Sequence, residues 1–108
     1  MLETIFSNLI DNAIKYGGIA QQIEIKAVAL DRFVTITVSD EGPGIAAQER
    51  THIFEKFYRI GNEDTRKASG SGLGLYLVAE LVRLHNGQVR CQENQPKGCV
   101  FEVILPYE

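Results

Sequence analysis

Apolar residues recur along the chain first at helical spacing and then at strand spacing. Leu2, Ile5, Phe6, Leu9, Ala13 and Tyr16 fall three or four apart, one face of a helix, and Gly17-Gly18 ends the run. Ile23 and Ile25 alternate with Glu24 and Lys26, and after Leu30-Asp31-Arg32 the alternation resumes from Phe33 to Val38, which predicts a hairpin. From Asp40 to Ser71 the pattern breaks into Gly42-Pro43-Gly44, a short helical piece near Ala46 to Phe57, and the polar stretch GNEDTRKASGSG. Leu73 to His85 is helical again, with Gly87 as the expected C-cap. Gln88 to Asn94 and Cys99 to Leu105 then alternate around Gln95-Pro96-Lys97-Gly98, a second hairpin that stops at Pro106. Helices and hairpins in this order predict an α+β fold with helices packed on one face of a mostly antiparallel sheet.

Composition narrows the function classes. At 108 residues the chain is expected to form one domain. With 44% hydrophobic and 23% charged residues it reads as a globular protein, and a formal charge of -3 supplies no basic field for nucleic acid. No apolar run reaches a membrane span, and no basic region precedes the first apolar positions as in a signal peptide, which predicts a cytoplasmic chain. Cys91 and Cys99 have no metal or redox spacing and are expected to be reduced structural thiols.

Three stretches carry candidate chemistry. At 3.6 residues per turn, Asn8, Asn12 and Lys15 fall within an arc of roughly 60°. Such a stripe is either a solvated face or a seat for a metal–phosphate group, since amide oxygens are hard ligands and a lysine pairs with phosphate. Asparagine is a poor choice for an exposed helix interior, where Glu or Gln serve better. "SDEGPGI", residues 39 to 45, ends a strand. It is either a turn or a purine site, with the Asp40 carboxylate accepting from an exocyclic amine and the glycines letting a flat ring approach the backbone. "SGSGLGL", residues 69 to 75, crowds Gly70, Gly72 and Gly74 at a helix entrance. Glycine costs a helix about 1 kcal/mol per site, but here it frees backbone N–H groups for an anion at the positive end of the helix dipole. The P-loop pattern is absent, and Leu75 breaks the Rossmann pattern. The polar stretch before it reads as a nucleotide lid, from which Arg59, Arg66 and Lys67 could reach phosphate oxygens.

Four pieces in order, "NLIDNAIKY" (8 to 16), "DEGPGI" (40 to 45), "IFEKFYR" (53 to 59) and "GSGLGL" (70 to 75), resemble the N, G1, F and G2 boxes of the catalytic ATP-binding domain of sensor histidine kinases. That branch shares a superfamily with gyrase and the MutL repair proteins, and the resemblance covers nearly the whole chain. It implies a Bergerat-type two-layer α/β sandwich with a mixed, mostly antiparallel sheet, binding ATP and Mg²⁺. Asn12 would hold the metal, with Asn8 beside it, Lys15 on phosphate and Tyr16 along the sugar or base. Asp40 would accept from adenine, with Gly42, Gly44 and Ile45 shaping the base pocket. Phe54 and Phe57 would anchor the lid, with Arg59 and Arg66 on its phosphate side. Gly70, Ser71, Gly72, Leu73, Gly74 and Leu75 would hold the triphosphate. Asn8 and Lys15 are the implied catalytic residues.

The ATP-hydrolysing relatives have a glutamate where this chain has Asn8, and an amide cannot take a proton from water. That fits a kinase conserving its γ-phosphoryl group for a histidine on a separate dimerisation domain, for relay to a response regulator, with catalysis resting on positioning and charge. An autonomous ATPase and a nucleotide-sensing docking module are the alternatives. Three departures stand beside the resemblance. Neither His52 nor His85 is followed by an acidic residue as the phospho-acceptor should be. The first strand of the family, the sensor and the acceptor domain are absent from residues 1–108, leaving an open sheet edge expected to pair with another chain or to be otherwise covered. Cys99 replaces a threonine that would help hold a water near adenine.

Overall fold

The computed structural model describes residues 2–17, 22–58, 73–95 and 97–106, with side chains on the first helix as far as Ile14. The elements are α1 (Leu2–Gly17), β1 (Ile23–Leu30), β2 (Phe33–Asp40), α2 (Ala47–Arg50), α3 (Gly74–Leu84), β3 (Gln88–Glu93) and β4 (Cys99–Pro106). The four strands form one sheet in the order β1-β2-β4-β3. Each pairing among them is antiparallel, and the mixed sheet implied by the resemblance is not seen among the described residues.

Strand alternation decides which side chains are buried. Ile36, Val38 and Asp40 of β2 and Cys99, Phe101, Val103 and Leu105 of β4 point to one face. There they meet Ile5, Leu9 and Ala13 of α1 and Val78 and Val82 of α3. Full burial of a branched aliphatic side chain contributes about 1.5 to 3 kcal/mol, so this single layer holds both helices on the sheet. The opposite face is solvated, and there Arg90 of β3 pairs with Glu102 of β4 directly across the ladder. The α+β two-layer arrangement read from the sequence is therefore present. No described helix is long and apolar enough to cross a membrane.

Two local expectations need correction. The short helix closes at Arg50 and continues only as turns to Phe57, because backbone bonds such as His52 N–H to Glu49 O (3.0 Å) and Glu55 N–H to His52 O (2.9 Å) span three residues. At the end of α3 the left-handed residue is Asn86 (φ 64°), not Gly87. Gly87 N–H donates to Val82 O at 2.9 Å and Asn86 N–H to Arg83 O at 3.0 Å, the two bonds of a Schellman ending. His85 adds a ring-nitrogen contact to Leu81 O at 2.8 Å. Gly87 is small for another reason: a Cβ there would lie 2.4 Å from Ile104 O and 2.8 Å from Leu105 Cδ2, where the chain passes under β4.

Opposite outcomes are expected at these neighbours. Asn86→Gly relieves a left-handed backbone and raises stability by about 0.5 to 1 kcal/mol, whereas Gly87→Ala overpacks the passage and costs about 1 to 3 kcal/mol. Denaturant midpoints of the two variants check this, and the reverse order would restore Gly87 as the positional cap.

Candidate functional site

The last residue of β2 is the centre of the site. Asp40 is only 5% exposed, yet it sits on the core face where its neighbours two and four residues back are Val38 and Ile36. A carboxylate so buried needs donors, and its Oδ1 accepts the Gly42 N–H at 2.9 Å, an Asx-type turn that bends the chain off the strand. Among the described residues, no protein group donates to its other oxygen, which leaves that oxygen for a ligand. Gly44 follows with φ +86°, and Ile45 tucks into the core. Arg50 of α2 fixes this return by donating from Nε to Ile45 O at 3.0 Å.

The β3–β4 turn closes over the same corner. Asn94 Nδ2 donates to the Asp40 carbonyl at 2.8 Å, and Asn94 N–H donates to Gly98 O at 3.0 Å. Gly98 has φ +108°, and a Cβ on it would stand 2.0 Å from Asp40 O. A Cβ on Gly44 would in turn lie 3.3 Å from Gly98 O. Three backbone segments thus meet without room for one side chain. Asn94, Gly98 and Arg50 were not singled out in the sequence as site residues. Gly98 was legible only as a turn glycine, and nothing local in the sequence reveals that its turn rests on residue 40.

A second cluster lies where α1 meets the start of α3. Asn8 is half-buried, and its Nδ2 donates to Thr4 O at 2.9 Å, one turn back. Its Oδ1 faces Gly74, where a Cβ would stand 2.9 Å away. Asn12, one turn further on, is also half-buried. The first residues of α3 have no side-chain cap and no acidic residue in the first turn, so their N–H groups are not taken up by side chains of the described residues. Leu73 and Leu75 flank this start and are half-buried, Leu75 against the core. The side chains of Lys15 and Tyr16, and Arg59, Arg66, Gly70, Ser71 and Gly72 entirely, lie outside the described residues.

The two phenylalanines of "IFEKFYR" part company. Phe54 packs edge-on against Phe101 of β4, with ring centroids 6.2 Å apart, and Ile53 beside it is buried. Phe57 is 62% exposed with φ +68°, and the Lys56 ammonium lies 5.4 Å from its ring centroid. Tyr58 donates its hydroxyl to Glu49 at 2.7 Å, a contact that raises its pKa. His52 pairs with Glu55 and stacks on Tyr58 at the surface. A separate open groove of about 400 Å³ lies around Gln22, Glu24, Ser39, Glu41 and Asn94. Its two glutamates make it unsuited to polyphosphate.

A carboxylate buried at a strand end, glycines on either side of it and an uncapped helix start beside two amides form a set suited to a purine nucleotide with its phosphates. The whole chain, residues 1–108, matches the family described as histidine kinase-, DNA gyrase B- and HSP90-like ATPases. The chain belongs to this family. It is 39% identical over 105 residues to the sensor protein CiaH of Streptococcus pneumoniae, covering 97% of this chain and 24% of CiaH. It is similar in structure to the mycobacterial sensor histidine kinase MprB, with a TM-score of 0.82 and 31% identity over 95% of this chain and 68% of that one. Full-length ShkA in complex with AMPPNP gives a TM-score of 0.83 at 32% identity, over 98% of this chain and 21% of that one. The chain thus spans about a quarter of the length of the curated relative CiaH, and the relatives it matches include sensor histidine kinases.

Gly98→Ala places a methyl group against Asp40 O and forces a left-handed backbone on alanine. The expected loss is about 3 kcal/mol of stability, read from thermal or denaturant unfolding. A variant as stable as the parent would show that the turn does not rest on Asp40.

Proposed function

We propose that residues 1–108 are the ATP-binding catalytic domain of a longer sensor histidine kinase, which transfers the γ-phosphate of Mg-ATP to a histidine on a separate dimerisation domain for relay to a response regulator. The observation that carries this reading is the Asp40 corner: a buried carboxylate at a strand end, with one oxygen held by Gly42 and the other without a donor among the described residues. Adenine's exocyclic amine suits the open oxygen. The bare start of α3 beside Asn8 suits the phosphates.

The donor set fits magnesium in company with phosphate. Asn8 turns its amide oxygen, not its NH₂, toward the start of α3, and Asn12 follows one turn on the same stripe. Neutral amide oxygens alone are too few for a protein-only Mg²⁺ cage, so the ion arrives with the nucleotide. Asn12 and Asn8 would hold it, and it would neutralise charge on the phosphates. Lys15, Arg59, Arg66 and the glycines of residues 70–74 are proposed as phosphate contacts, Tyr16 as a neighbour of the sugar or base, and Phe54 and Phe57 as supports of the lid. Asn8 supplies no base to activate water, which favours transfer to a protein acceptor over hydrolysis. Neither histidine is followed by an acidic residue, and His52 is engaged by Glu55 and Tyr58 and His85 by Leu81 O. The acceptor histidine is therefore proposed to lie outside these residues, in a kinase whose catalytic domain works on the cytoplasmic side.

Calorimetric titration of Mg-ATP tests the reading. The parent chain is expected to bind at micromolar to sub-millimolar concentration, and Asp40→Asn to bind more than tenfold more weakly, a loss above about 1.4 kcal/mol. Added acceptor domain should become labelled from γ-labelled ATP, while the chain alone turns over little. Sustained hydrolysis by the chain alone would favour the autonomous ATPase, and binding without transfer would favour the sensing module.

The open sheet edge is proposed to pair with a second copy of the chain. β1 is the outermost strand, with Ile25 47% exposed, and its outer edge has no partner among the described residues. Antiparallel self-pairing centred on Ile25 sets Glu24 of each copy opposite Lys26 of the other, whereas centring on either charge opposes like with like. Sedimentation should show dimer at high concentration. Lys26→Glu should weaken it, and adding Glu24→Lys should restore it; a chain that stays monomeric throughout would remove the proposal.

A further inference from the structure

Cys91 on β3 and Cys99 on β4 face the helical layer from adjacent strands. Cys91 stands opposite Phe101 and Cys99 opposite Glu93, so the two cysteines are diagonal neighbours on one face. Diagonal residues of an antiparallel pair have Cα atoms roughly 7 to 8 Å apart, with side chains closer. The Cys99 thiol beside it lowers the pKa of Cys91, and the Arg50 guanidinium acts in the same direction. The Cys91 thiol, with burial, raises that of Cys99. Cys99 is buried and Cys91 half-buried, so Cys91 is the sulfur a small reagent reaches first.

The position of Cys99 in the ladder gives the pair a consequence. Pairing between β2 and β4 ends at Ser39 and Val100, so Cys99 has a ladder partner on β3 alone while its side chain sits in the core. Directly before it stands Gly98, seated against Asp40 and Gly44. A disulfide needs Cα atoms about 4.4 to 6.8 Å apart, nearer than a diagonal pair allows. Closure must therefore displace the start of β4, which has no ladder partner on the β2 side, against the seating of Gly98 on Asp40.

We propose that Cys91 and Cys99 form an oxidation-responsive dithiol, and that closing the disulfide draws the start of β4 toward β3 and lifts Gly98 off Asp40. With a hydroperoxide as the oxidant, the Cys91 thiolate attacks the peroxide oxygen and breaks the O–O bond, giving a sulfenic acid and, for hydrogen peroxide, hydroxide. The Cys99 sulfur then attacks the sulfenic sulfur. The S–S bond forms, the S–O bond breaks, and the Cys99 proton leaves with the departing oxygen as water. Overall, two thiols lose two electrons to the peroxide. Because the bridge forms only with displacement, a dithiol reductant reopens it readily. The pair adjoins the proposed adenine corner through Gly98 and through Cys99 itself.

The test uses the intact chain, hydrogen peroxide and dithiothreitol, with no nucleotide, so its outcome is separate from that of the ATP titration. Oxidised chain is expected to lose the mass of two hydrogen atoms and to yield a peptide linking residues 91 and 99. The Gly42 and Asn94 amides, which report on the Asp40 corner, should exchange with solvent at least about tenfold faster and recover on reduction. Cys99→Ser should stop at a sulfenic acid on Cys91 that dimedone traps, and Cys91→Ser should take up no dimedone at the same peroxide concentration. Oxygen gained without a bridge, bridges only between chains, or a bridge with unchanged amide exchange would each overturn the proposal.

Discussion

The contact on which the site depends is the seating of one backbone on another at Gly98 and Asp40. No side-chain energy is large enough to hold a carboxylate in an apolar core unless its surroundings are fixed, because an unpaired buried charge costs several kcal/mol. Here the fixing is done by peptide groups. Asn94 ties the Asp40 carbonyl, Gly42 N–H takes one carboxylate oxygen, and Gly98 approaches so closely that the turn has no freedom to drift. The core beneath, from Ile36 and Val38 to Phe101 and Val103, keeps β2 and β4 in register so that these groups arrive together.

Helix packing does for the proposed phosphate end what the strand register does for the proposed base end. Gly74 of α3 lies against the Asn8 amide, so the start of one helix is referenced to a polar side chain of the other. Any residue larger than glycine at 74 would separate the helices or turn the amide away. Asn8 is therefore one side of a helix–helix contact, which accounts for a short amide there where a longer polar side chain would suit a solvated surface better.

Much of this was legible in the sequence because period and turn chemistry are local. The hairpin around Asp31 and Arg32 and the alternating runs of β2 and β4 follow from spacing alone, and Asp40 was marked by its glycine-rich sequel. What could not be read depended on contacts distant in the chain. Gly87 and Asn86 are adjacent, and propensity favours the glycine as the left-handed residue, yet the passage beneath Ile104 claims the glycine for its size. Gly98 looked like an ordinary turn residue because the group it must clear is 58 positions earlier. Arg50 gave no signal because its partner is a backbone carbonyl. Phe57 shows the converse: an aromatic with a recognisable motif position whose ring stays exposed on a left-handed backbone.

The order of the strands also bears on how the domain is made. β1 and β2 form a hairpin from adjacent sequence and close on the microsecond scale. β2 cannot acquire its other neighbour until β4, the last strand of the sheet, is available. During synthesis, Asp40 leaves the ribosome well before Gly98, so its carboxylate remains solvated and its strand half-paired until the C-terminal strand has emerged. The binding corner is thus among the last features of the domain to exist, and a nucleotide that recognises it selects chains whose C-terminal strand has already docked.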